Sequence, residues 1–278
     1  MTTLFLLAIV PTFFLIVVSF TNYQLGWEIN RAKFVGFENY IRLFSGRDRD
    51  FWNAVYISLL FMLLATMVEM ILGFAIALLL NDREFRLKPL VVGILIIPLA
   101  MTPTIAGQMW KLMFNSEYGF INYVLTALFD VKITWLSSKL AFWSILIVDI
   151  WQFTPFVALI LYAGLRSMPE EPYESAKIDG AGKVRSFFYL TIPMMRSLIL
   201  LALLMRAVDS LKLFDTAFVL TQGGPGNATE FLSLHVYRMV NAQNGLIGRG
   251  AAVAMVLLII VSLVSNILIR FQRKENMQ

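Results

Sequence analysis

The chain has 278 residues, of which 59% are hydrophobic and 15% charged, and its mean hydropathy is +0.73. Soluble domains average about 45–50% apolar and about 25% charged residues, so this composition indicates a membrane protein. The absence of cysteine excludes a disulfide framework, a thiolate metal site and a catalytic thiol. A single histidine, His235, leaves little for imidazole chemistry, and basic loops of a membrane protein explain the net charge of +5 more simply than nucleic-acid binding.

Six segments are apolar over the length that a spanning helix requires, which is about 20 residues. The sequence therefore predicts an all-α transmembrane fold with six spanning helices in a single domain, residues 1–278. The first segment lacks the basic start and the cleavage site of a signal peptide, so it is counted as a span. The predicted spans are residues 4–20, 53–80, 90–114, 140–164, 197–220 and 250–270.

Six spans place both termini on one side of the membrane, and the charge of the loops indicates which side. Three segments on the side of the termini, 81–88, 165–196 and 270–278, hold more basic residues than the opposite loops, which predicts that they are cytoplasmic. The difference is moderate, because the first opposite loop, 21–52, is itself basic. The basic residues of the three cytoplasmic segments are Arg83, Arg86, Lys88, Arg166, Lys177, Lys183, Arg185, Arg196, Arg270, Arg273 and Lys274.

The predicted cytoplasmic loop 165–196 contains the signature of a short helix. Glu170 and Glu171 precede a stretch of good helix formers, and carboxylates in a first turn favour the positive end of the helix dipole. Gly180 follows that stretch and can adopt the left-handed conformation that ends a helix. Physical chemistry alone leaves two interpretations open, an ordinary connecting helix or a docking site.

The same loop carries a spaced motif. Glu174-Ser175-Ala176 is followed after three residues by Gly180, and after nine more by Leu190-Thr191-Ile192-Pro193. This pattern resembles the EAA loop of ABC importer permeases, with small replacements at Ser175, Leu190 and Ile192. Other segments resemble the carbohydrate branch of that family, which includes the maltose and glycerol-phosphate systems. They are residues 34–40, 110–111, 114, 119–122, 149–156, 179–181, 214–215 and 220–229.

The resemblance implies a type I ABC importer permease in a bacterial or archaeal cytoplasmic membrane, with both termini cytoplasmic. It implies four further partners: a second and distinct permease, two ATPase subunits that carry the ATP and Mg²⁺, an extracytoplasmic solute-binding protein, and a sugar substrate. No cofactor is expected in this chain. The residues that the resemblance assigns to contact with the ATPase are Glu174, Ser175, Ala176, Asp179 and Gly180.

The fifth predicted span holds four charged side chains, Arg206, Asp209, Lys212 and Asp215, at three-residue spacing. A charge at the centre of a spanning helix costs roughly 2.5–3.5 kcal/mol, so these residues are expected to face protein or water, with other helices enclosing the span. Ion pairs between neighbours on the helix are one interpretation, and a substrate pathway is the other. By resemblance the candidate pathway residues are Asp149, Phe153, Phe156, Arg206, Asp209, Ser210, Leu213 and Asp215.

Glu69 and Lys111 are further ionisable residues inside predicted spans, and local pairing is the simpler interpretation for both. The sequence lacks the G-x-x-x-x-G-K-[ST] phosphate loop, so the chain is not expected to hydrolyse ATP or to be an enzyme. Two other functions remain open at this point. One is an ABC permease for a solute other than a sugar, and the other is an ion-coupled secondary transporter in which Glu69 and Asp149 carry the ion.

Overall fold

A computed structural model describes residues 2–82, 84–242 and 245–275 of the chain. Arg83 lies outside the described residues, as do the side chains of Arg273 and Lys274. The described chain is built from helices and connecting loops. The helices are α1 (Thr2–Ser19), α2 (Glu38–Phe44), α3 (Arg49–Asn81), α4 (Lys88–Ala100), α5 (Pro103–Met113), α6 (Phe120–Phe129), α7 (Ala141–Arg166), α8 (Glu171–Ile178), α9 (Lys183–Ser186), α10 (Ile192–Leu211), α11 (Asp215–Thr221), α12 (Leu232–Tyr237) and α13 (Ile247–Glu275).

Four helical stretches of the described residues are long and apolar enough to cross a membrane, and a bent pair of helices makes up to five. The four are Arg49–Asn81, Ala141–Arg166, Lys183–Leu211 and Ile247–Gln272, which fall at four of the predicted spans. The bent pair, α4 and α5, falls at the third predicted span. Helix α1 occupies the first predicted segment, and its count as a sixth span stays a prediction.

Helices α3 and α7 pack along each other in the middle of the bundle. Gly73 of α3 lies directly against Val157 of α7: a Cβ at position 73 would come within 2.6 Å of the Val157 side chain. Asp48 caps the start of α3 by accepting hydrogen bonds from the backbone N–H groups of Asp50 and Phe51, both at 3.2 Å. Helix α10 packs against both α3 and α7, and α13 packs against α10.

The third predicted span, 90–114, is not one straight helix. It bends by 100° between α4 and α5. Thr102 caps α5 by accepting a hydrogen bond from the N–H of Ile105, and Pro103 stands at the first position of the helix, where its missing N–H costs nothing. Gln152 of α7 donates a hydrogen bond of 3.0 Å to the carbonyl oxygen of Met101, which holds the bend against the central helix.

The fifth predicted span, 197–220, differs in both bounds. Its helix begins earlier, at Lys183, passes through a π-helical turn (Phe187–Thr191) and ends at Leu211. After a short break the separate helix α11 follows. Only 17% of the most apolar stretch of Lys183–Leu211 is buried within the described chain, so the expectation that other spans enclose this helix is not met within one chain.

The bundle has two distinct ends. One carries α8, and we call it the α8 end. The opposite end carries the loop after α1, the short helices α2 and α12, and the start of α13. There an isolated bridge joins Thr21 to Phe34, and the N–H of Gly248 donates to the carbonyl oxygen of Tyr23 at 2.9 Å.

Candidate functional site

Helix α8 and the turn after it form the first part of the candidate site. The N–H of Ala181 donates to the carbonyl oxygen of Ala176, at 2.8 Å, and the N–H of Gly180 donates to that of Lys177, at 3.2 Å. This pair of bonds is the Schellman motif, which requires a left-handed residue, and Gly180 has φ +76°. The predicted short helix with a glycine cap is confirmed.

The surface of α8 is uncovered in this chain. None of its residues is buried, and of the residues assigned to the ATPase contact Glu174, Ser175, Asp179 and Gly180 are exposed while Ala176 is half-buried. Ile178 is 86% exposed, although it is one of the most apolar residue types. The helix is nevertheless fixed in place, because the hydroxyls of Tyr173 and Thr191 share a hydrogen bond of 2.9 Å.

The aliphatic and aromatic residues beside α8 extend the uncovered surface. Val184 is 72% exposed, and Phe188 and Tyr189 are exposed as well. Several exposed apolar side chains within one short segment indicate a site of interaction with another protein or with lipid.

The second part of the site is a buried ion cluster around Arg206 of α10. Its Nε donates to one carboxylate oxygen of Glu69 at 2.6 Å and its Nη2 donates to the other at 2.8 Å. The same Nη2 donates to Asp149 at 2.8 Å and to the hydroxyl of Ser210 at 3.2 Å. The Arg206 side chain is 1% exposed, that of Glu69 is 0% exposed and that of Asp149 is 1% exposed. The cluster therefore joins α3, α7 and α10 in the interior of the subunit.

Phe153 completes this cluster. The guanidinium carbon of Arg206 lies 4.1 Å from the centre of the Phe153 ring, which is the distance of a cation–π contact. The structure thus brings together four of the eight residues that the resemblance assigns to the pathway, namely Asp149, Phe153, Arg206 and Ser210. The sequence did not indicate that Glu69 belongs with them, because 137 residues separate it from Arg206.

The other four predicted pathway residues lie elsewhere. Phe156 packs against an apolar cluster around Val157 and Leu161, nearer the α8 end, and Leu213 is buried in an apolar cluster around Phe61. Asp209 and Asp215 are exposed. Of the ion pairs expected along the fifth span, the structure forms the one between Asp209 and Lys212, at 3.5 Å, whereas Arg206 pairs with other helices.

A polar stripe on α5 was not foreseen from the sequence. Thr104, Gln108 and Lys111 are exposed and stand at i, i+4 and i+7, so they share one helix face. Helix α5 packs against α11, where the Lys111 ammonium donates to the carbonyl oxygen of Val219 at 2.8 Å. The sequence signal for this stripe is the helical spacing of polar residues inside an apolar segment, of which Lys111 alone is ionisable.

The stripe on α5 adjoins α11, because α5 and α11 are packed together, and Asp215 at the start of α11 and Asp209 near the end of α10 are exposed as well. A Cβ at Gly107 of α5 would lie 3.2 Å from Val219 of α11, a separation that leaves no room for a larger residue without movement. Exposed charged and polar side chains in a spanning region require water or a partner chain in front of them. This surface is the third part of the candidate site.

Comparison with known proteins decides the family. The model of the family described as "Binding-protein-dependent transport system inner membrane component" matches residues 69–274. The chain belongs to this family. The matched residues begin at Glu69 in the buried ion cluster and include α8 and the polar surfaces of α5, α10 and α11.

Similar proteins of this family include permeases for several sugars. The chain is 37% identical to the trehalose/maltose transport system permease protein MalF of Thermococcus litoralis, over 84% of this chain and 78% of that protein. It is 34% identical to the sulfoquinovosyl glycerol transport system permease protein SmoG of Agrobacterium fabrum, over 88% of this chain and 79% of that protein.

The fold is also that of solved transporters. A chain of the bacterial alginate ABC transporter, crystallised with an alginate pentasaccharide-bound periplasmic protein, superposes with a TM-score of 0.83 at 18% identity, over 98% of this chain and 91% of that one. Members of the family are transport components rather than enzymes, so this chain is an inner-membrane permease with the type I ABC importer fold.

A second ionic network lies at the opposite end of this permease, outside the spans. The imidazole of His235 contacts Glu230 through Nδ1 at 2.9 Å and Asp48 through Nε2 at 3.1 Å. Burial alone would lower the pKa of His235, but the hydrogen bonds and charges of the two carboxylates outweigh it and raise that pKa to about 9. His235 is therefore a cation at neutral pH. Arg238 pairs with the same Glu230, so α12 is tied to the cap of α3.

Proposed function

We propose that the chain is one of two permease subunits of an ATP-driven importer that moves a sugar or oligosaccharide across the cytoplasmic membrane. The second permease is a distinct homologue, two ATPase subunits dock at the α8 end, and a solute-binding protein docks at the opposite end. The termini are then cytoplasmic. ATP and Mg²⁺ are held by the ATPase subunits, and this chain supplies the pathway.

The observation that carries the proposal is the exposed, rigidly capped helix α8. A helix without a buried residue contributes little to the core of its own chain, so its fixed position between two long helices serves another contact. Tyr173 and the Schellman turn at Gly180 make α8 rigid, and a rigid connector transmits a rigid-body movement of a docked ATPase to α7 and α10.

The sugar class rests on the relatives and on the pathway surface. The named substrates of similar permeases are trehalose or maltose, sulfoquinovosyl glycerol and diacetylchitobiose, all of which are glycosides. The exposed surface of α5, α10 and α11 offers hydroxyl, amide, carboxylate and ammonium groups, which can replace the hydrogen bonds of sugar hydroxyls to water. Thr104 and Gln108 join the exposed Asp209 and Asp215 as the residues we assign to this surface.

The buried residues of the cluster have a different role in this proposal. Asp149, Arg206 and Ser210 are sealed inside the subunit and satisfied by one another, so they position α7 and α10 beside the pathway. The same pairing argues against ion-coupled transport through Glu69 and Asp149, because both carboxylates are bound by one guanidinium.

A coupling assay tests the proposal. The permease is co-purified with its partner permease and ATPase subunits, and ATP hydrolysis is measured with and without the sugar-loaded binding protein. Glu174→Lys reverses a charge on the exposed face of α8, and Gly180→Asp places a side chain at φ +76°, where only glycine is unstrained. Both variants should assemble with the partner subunits, and their rate of ATP hydrolysis in the presence of the sugar-loaded binding protein should fall at least tenfold.

The matched control is Ser175→Ala: Ser175 is among the assigned contact residues, but alanine is the residue that the EAA motif carries at this position, so the contact should be kept without a change of charge or backbone strain. Its stimulated rate should stay within twofold of the wild-type rate. Normal stimulation in both Glu174→Lys and Gly180→Asp would refute the assignment of α8 to the ATPase contact. Stimulation by a binding protein loaded with a solute other than a sugar would retain the coupling and refute the sugar class.

A further inference from the structure

A small cavity of about 60 Å³ lies at the opposite end of the permease, between the loop after α1, helix α2 and the start of α13. Two arginines line it, Arg42 from α2 and Arg249 from α13, and both are half-buried. Glu38 is the one carboxylate in its lining. The remaining walls are formed by Asn22, Tyr23, Gln24, Val35, Asn39 and Leu246.

The charge of the cavity is only partly balanced by the chain, because the carboxylates near Arg249 are Glu38 and Asp48, and Asp48 already pairs with His235. Among the described residues, the guanidinium group of neither Arg42 nor Arg249 forms an ion pair within 4.0 Å or a hydrogen bond, although Glu38 stands one turn before Arg42 on the same helix. Two guanidinium groups that share a partly enclosed space repel each other, and each offers five N–H donors. An anion with several oxygen atoms would satisfy both, and planar guanidinium groups are well suited to bind phosphate.

The three faces of α2 show what surrounds the cavity. Asn39 and Leu43 form the buried face, and Glu38 and Arg42 form the face that lines the cavity. The third face consists of Phe37, Ile41 and Phe44 at i, i+4 and i+7, exposed by 66%, 57% and 53%. Exposed aromatic and aliphatic side chains beside basic residues are typical of the region where lipid tails meet headgroups.

The depth of the cavity agrees with that region. Arg249 is the third residue of α13, whose 29 residues extend about 43 Å at 1.5 Å per residue. The hydrocarbon core of a bilayer is about 30 Å thick, so both ends of α13 reach the headgroups. Arg249 therefore stands at headgroup depth and the exposed face of α2 lies beside it.

We propose that this cavity binds the phosphate of an anionic phospholipid in the outer leaflet. The guanidinium groups of Arg42 and Arg249 hold the phosphate oxygens, and Phe37, Ile41 and Phe44 contact the upper part of the acyl chains. The site also accounts for one of the basic residues in segment 21–52, Arg42, which the positive-inside rule leaves unexplained. The proposal requires that the chain is embedded in a membrane and does not depend on which solute it transports.

Lipid retention tests the site. The permease, purified with its partner subunits in detergent, is titrated with dioleoyl phosphatidylglycerol, and bound lipid is counted by native mass spectrometry. Wild type should retain the anionic lipid, and Arg42→Gln with Arg249→Gln should weaken its apparent affinity by at least tenfold. Arg31→Gln is the matched control, because Arg31 is exposed in the same loop and does not line the cavity, and its affinity should stay within twofold.

Three further measurements, with a zwitterionic lipid, with inorganic phosphate and with the double variant, distinguish a lipid phosphate from a free anion as the occupant of the cavity. Dioleoyl phosphatidylcholine should bind at least tenfold more weakly than the anionic lipid, and inorganic phosphate at 5 mM should not displace the lipid. Displacement by inorganic phosphate alone would show a site for a free anion and overturn the lipid assignment. Unchanged lipid retention in the double variant, whose melting in phosphatidylcholine nanodiscs confirms that it is folded, would overturn the site.

A carboxylate of the solute-binding protein is the competing occupant. If the double variant keeps the anionic lipid and loses stimulation by the binding protein, the cavity is a protein contact and the lipid proposal fails. If it loses the lipid while stimulation at saturating binding protein persists, the lipid site stands apart from the docking of the binding protein.

Discussion

Arg206 shows how one residue can determine the arrangement of three long helices. Its guanidinium is the positive charge that binds both Glu69 and Asp149, and none of these three charged side chains is more than 1% exposed. Burying an ion pair gains little over apolar packing, but removing one partner strands the other charge and typically costs about 3–5 kcal/mol. The cluster is therefore best understood as a device that fixes which faces of α3, α7 and α10 meet.

Replacing Arg206 tests that role. Arg206→Met should destabilise the purified permease by about 3–5 kcal/mol, because it leaves two carboxylates without a cation. Arg206→Lys keeps the charge but loses the planar guanidinium that binds both oxygens of Glu69. Its stability should lie between that of wild type and that of Arg206→Met. The apparent melting temperature in one detergent provides the comparison, and the triple variant Glu69→Gln, Asp149→Asn, Arg206→Met should recover part of the loss. A melting temperature of Arg206→Met equal to that of wild type would contradict this account.

His235 makes a different prediction because it can gain or lose its proton. Its pKa in the folded chain, about 9, is above the value of about 6.5 expected in the unfolded chain. The stability it contributes is therefore fully present below pH 6.5 and is lost as the pH rises through 9. This difference in pKa limits the contribution of His235 to the free energy of unfolding to about 3 kcal/mol.

His235→Gln is the variant for measuring this contribution. The difference in thermal stability between wild type and His235→Gln should be largest near pH 6 and should shrink steadily up to pH 9.5. Burial raises the pKa of Asp48, but the hydrogen bond and charge of His235 together with the backbone N–H groups of Asp50 and Phe51 outweigh it and lower that pKa, so Asp48 stays ionised over this range. A difference that stays constant with pH would mean that His235 is not protonated in the folded chain.

Elements were predicted well where apolar length alone decides and poorly where direction changes. Hydropathy places α3, α7 and α13 at the expected segments, because any helix that crosses lipid needs a long apolar run. It cannot detect the 100° bend between α4 and α5, because the two halves taken together are apolar enough to pass as one span. The bend has a local signal in Thr102-Pro103, a capping residue followed by a residue suited to a helix start, which a hydropathy window averages out.

Within the candidate site, local features were likewise predictable from the sequence, whereas contacts between distant helices were not. Gly180 and the helix before it are local features, so spacing was sufficient to predict them. The pairing of Arg206 with Glu69 depends on the packing of two helices distant in sequence, and periodicity on one helix carries no information about its neighbour. The break after Leu211 likewise moved Asp215 from the fifth span onto α11.

The contact between α3 and α7 gives an element-scale prediction. Gly73→Ala would place a Cβ 2.6 Å from a Val157 methyl and 3.1 Å from the backbone nitrogen of Ala158, so the helices must separate, at a cost of about 1–3 kcal/mol. Gly93→Ala is the matched control, since no atom lies within 4 Å of its added Cβ. There alanine should be neutral or stabilise by up to about 1 kcal/mol through helix propensity.

Thermal melting of the two alanine variants in the same detergent makes the comparison direct. The double variant Gly73→Ala, Val157→Ala provides room for the new methyl group and should recover part of the loss. Equal melting temperatures for Gly73→Ala and Gly93→Ala would show that the contact between α3 and α7 is looser than the structure indicates.

At the scale of the whole molecule, the fifth span is the clearest sign that one chain is an incomplete unit. Most of Lys183–Leu211 is uncovered, and its exposed face becomes charged toward the opposite end, where Asp209 and Lys212 are about half-exposed. Lipid is an unfavourable environment for those charges. A water-filled pathway enclosed by a second permease provides the environment that they need.

Thiol labelling distinguishes water from lipid in front of this face, and the natural sequence has no cysteine that would interfere. In the assembled transporter, Asp209→Cys and Gln108→Cys should react with a charged, water-soluble methanethiosulfonate at least tenfold faster than Ile97→Cys. Ile97 is the control because it is 59% exposed on the apolar helix α4. A thiol in hydrocarbon stays protonated and meets no charged reagent, whereas a thiol facing water ionises and reacts. If Asp209→Cys and Gln108→Cys react no faster than Ile97→Cys, the charged face is covered by protein or lipid and the pathway does not run along α5 and α10.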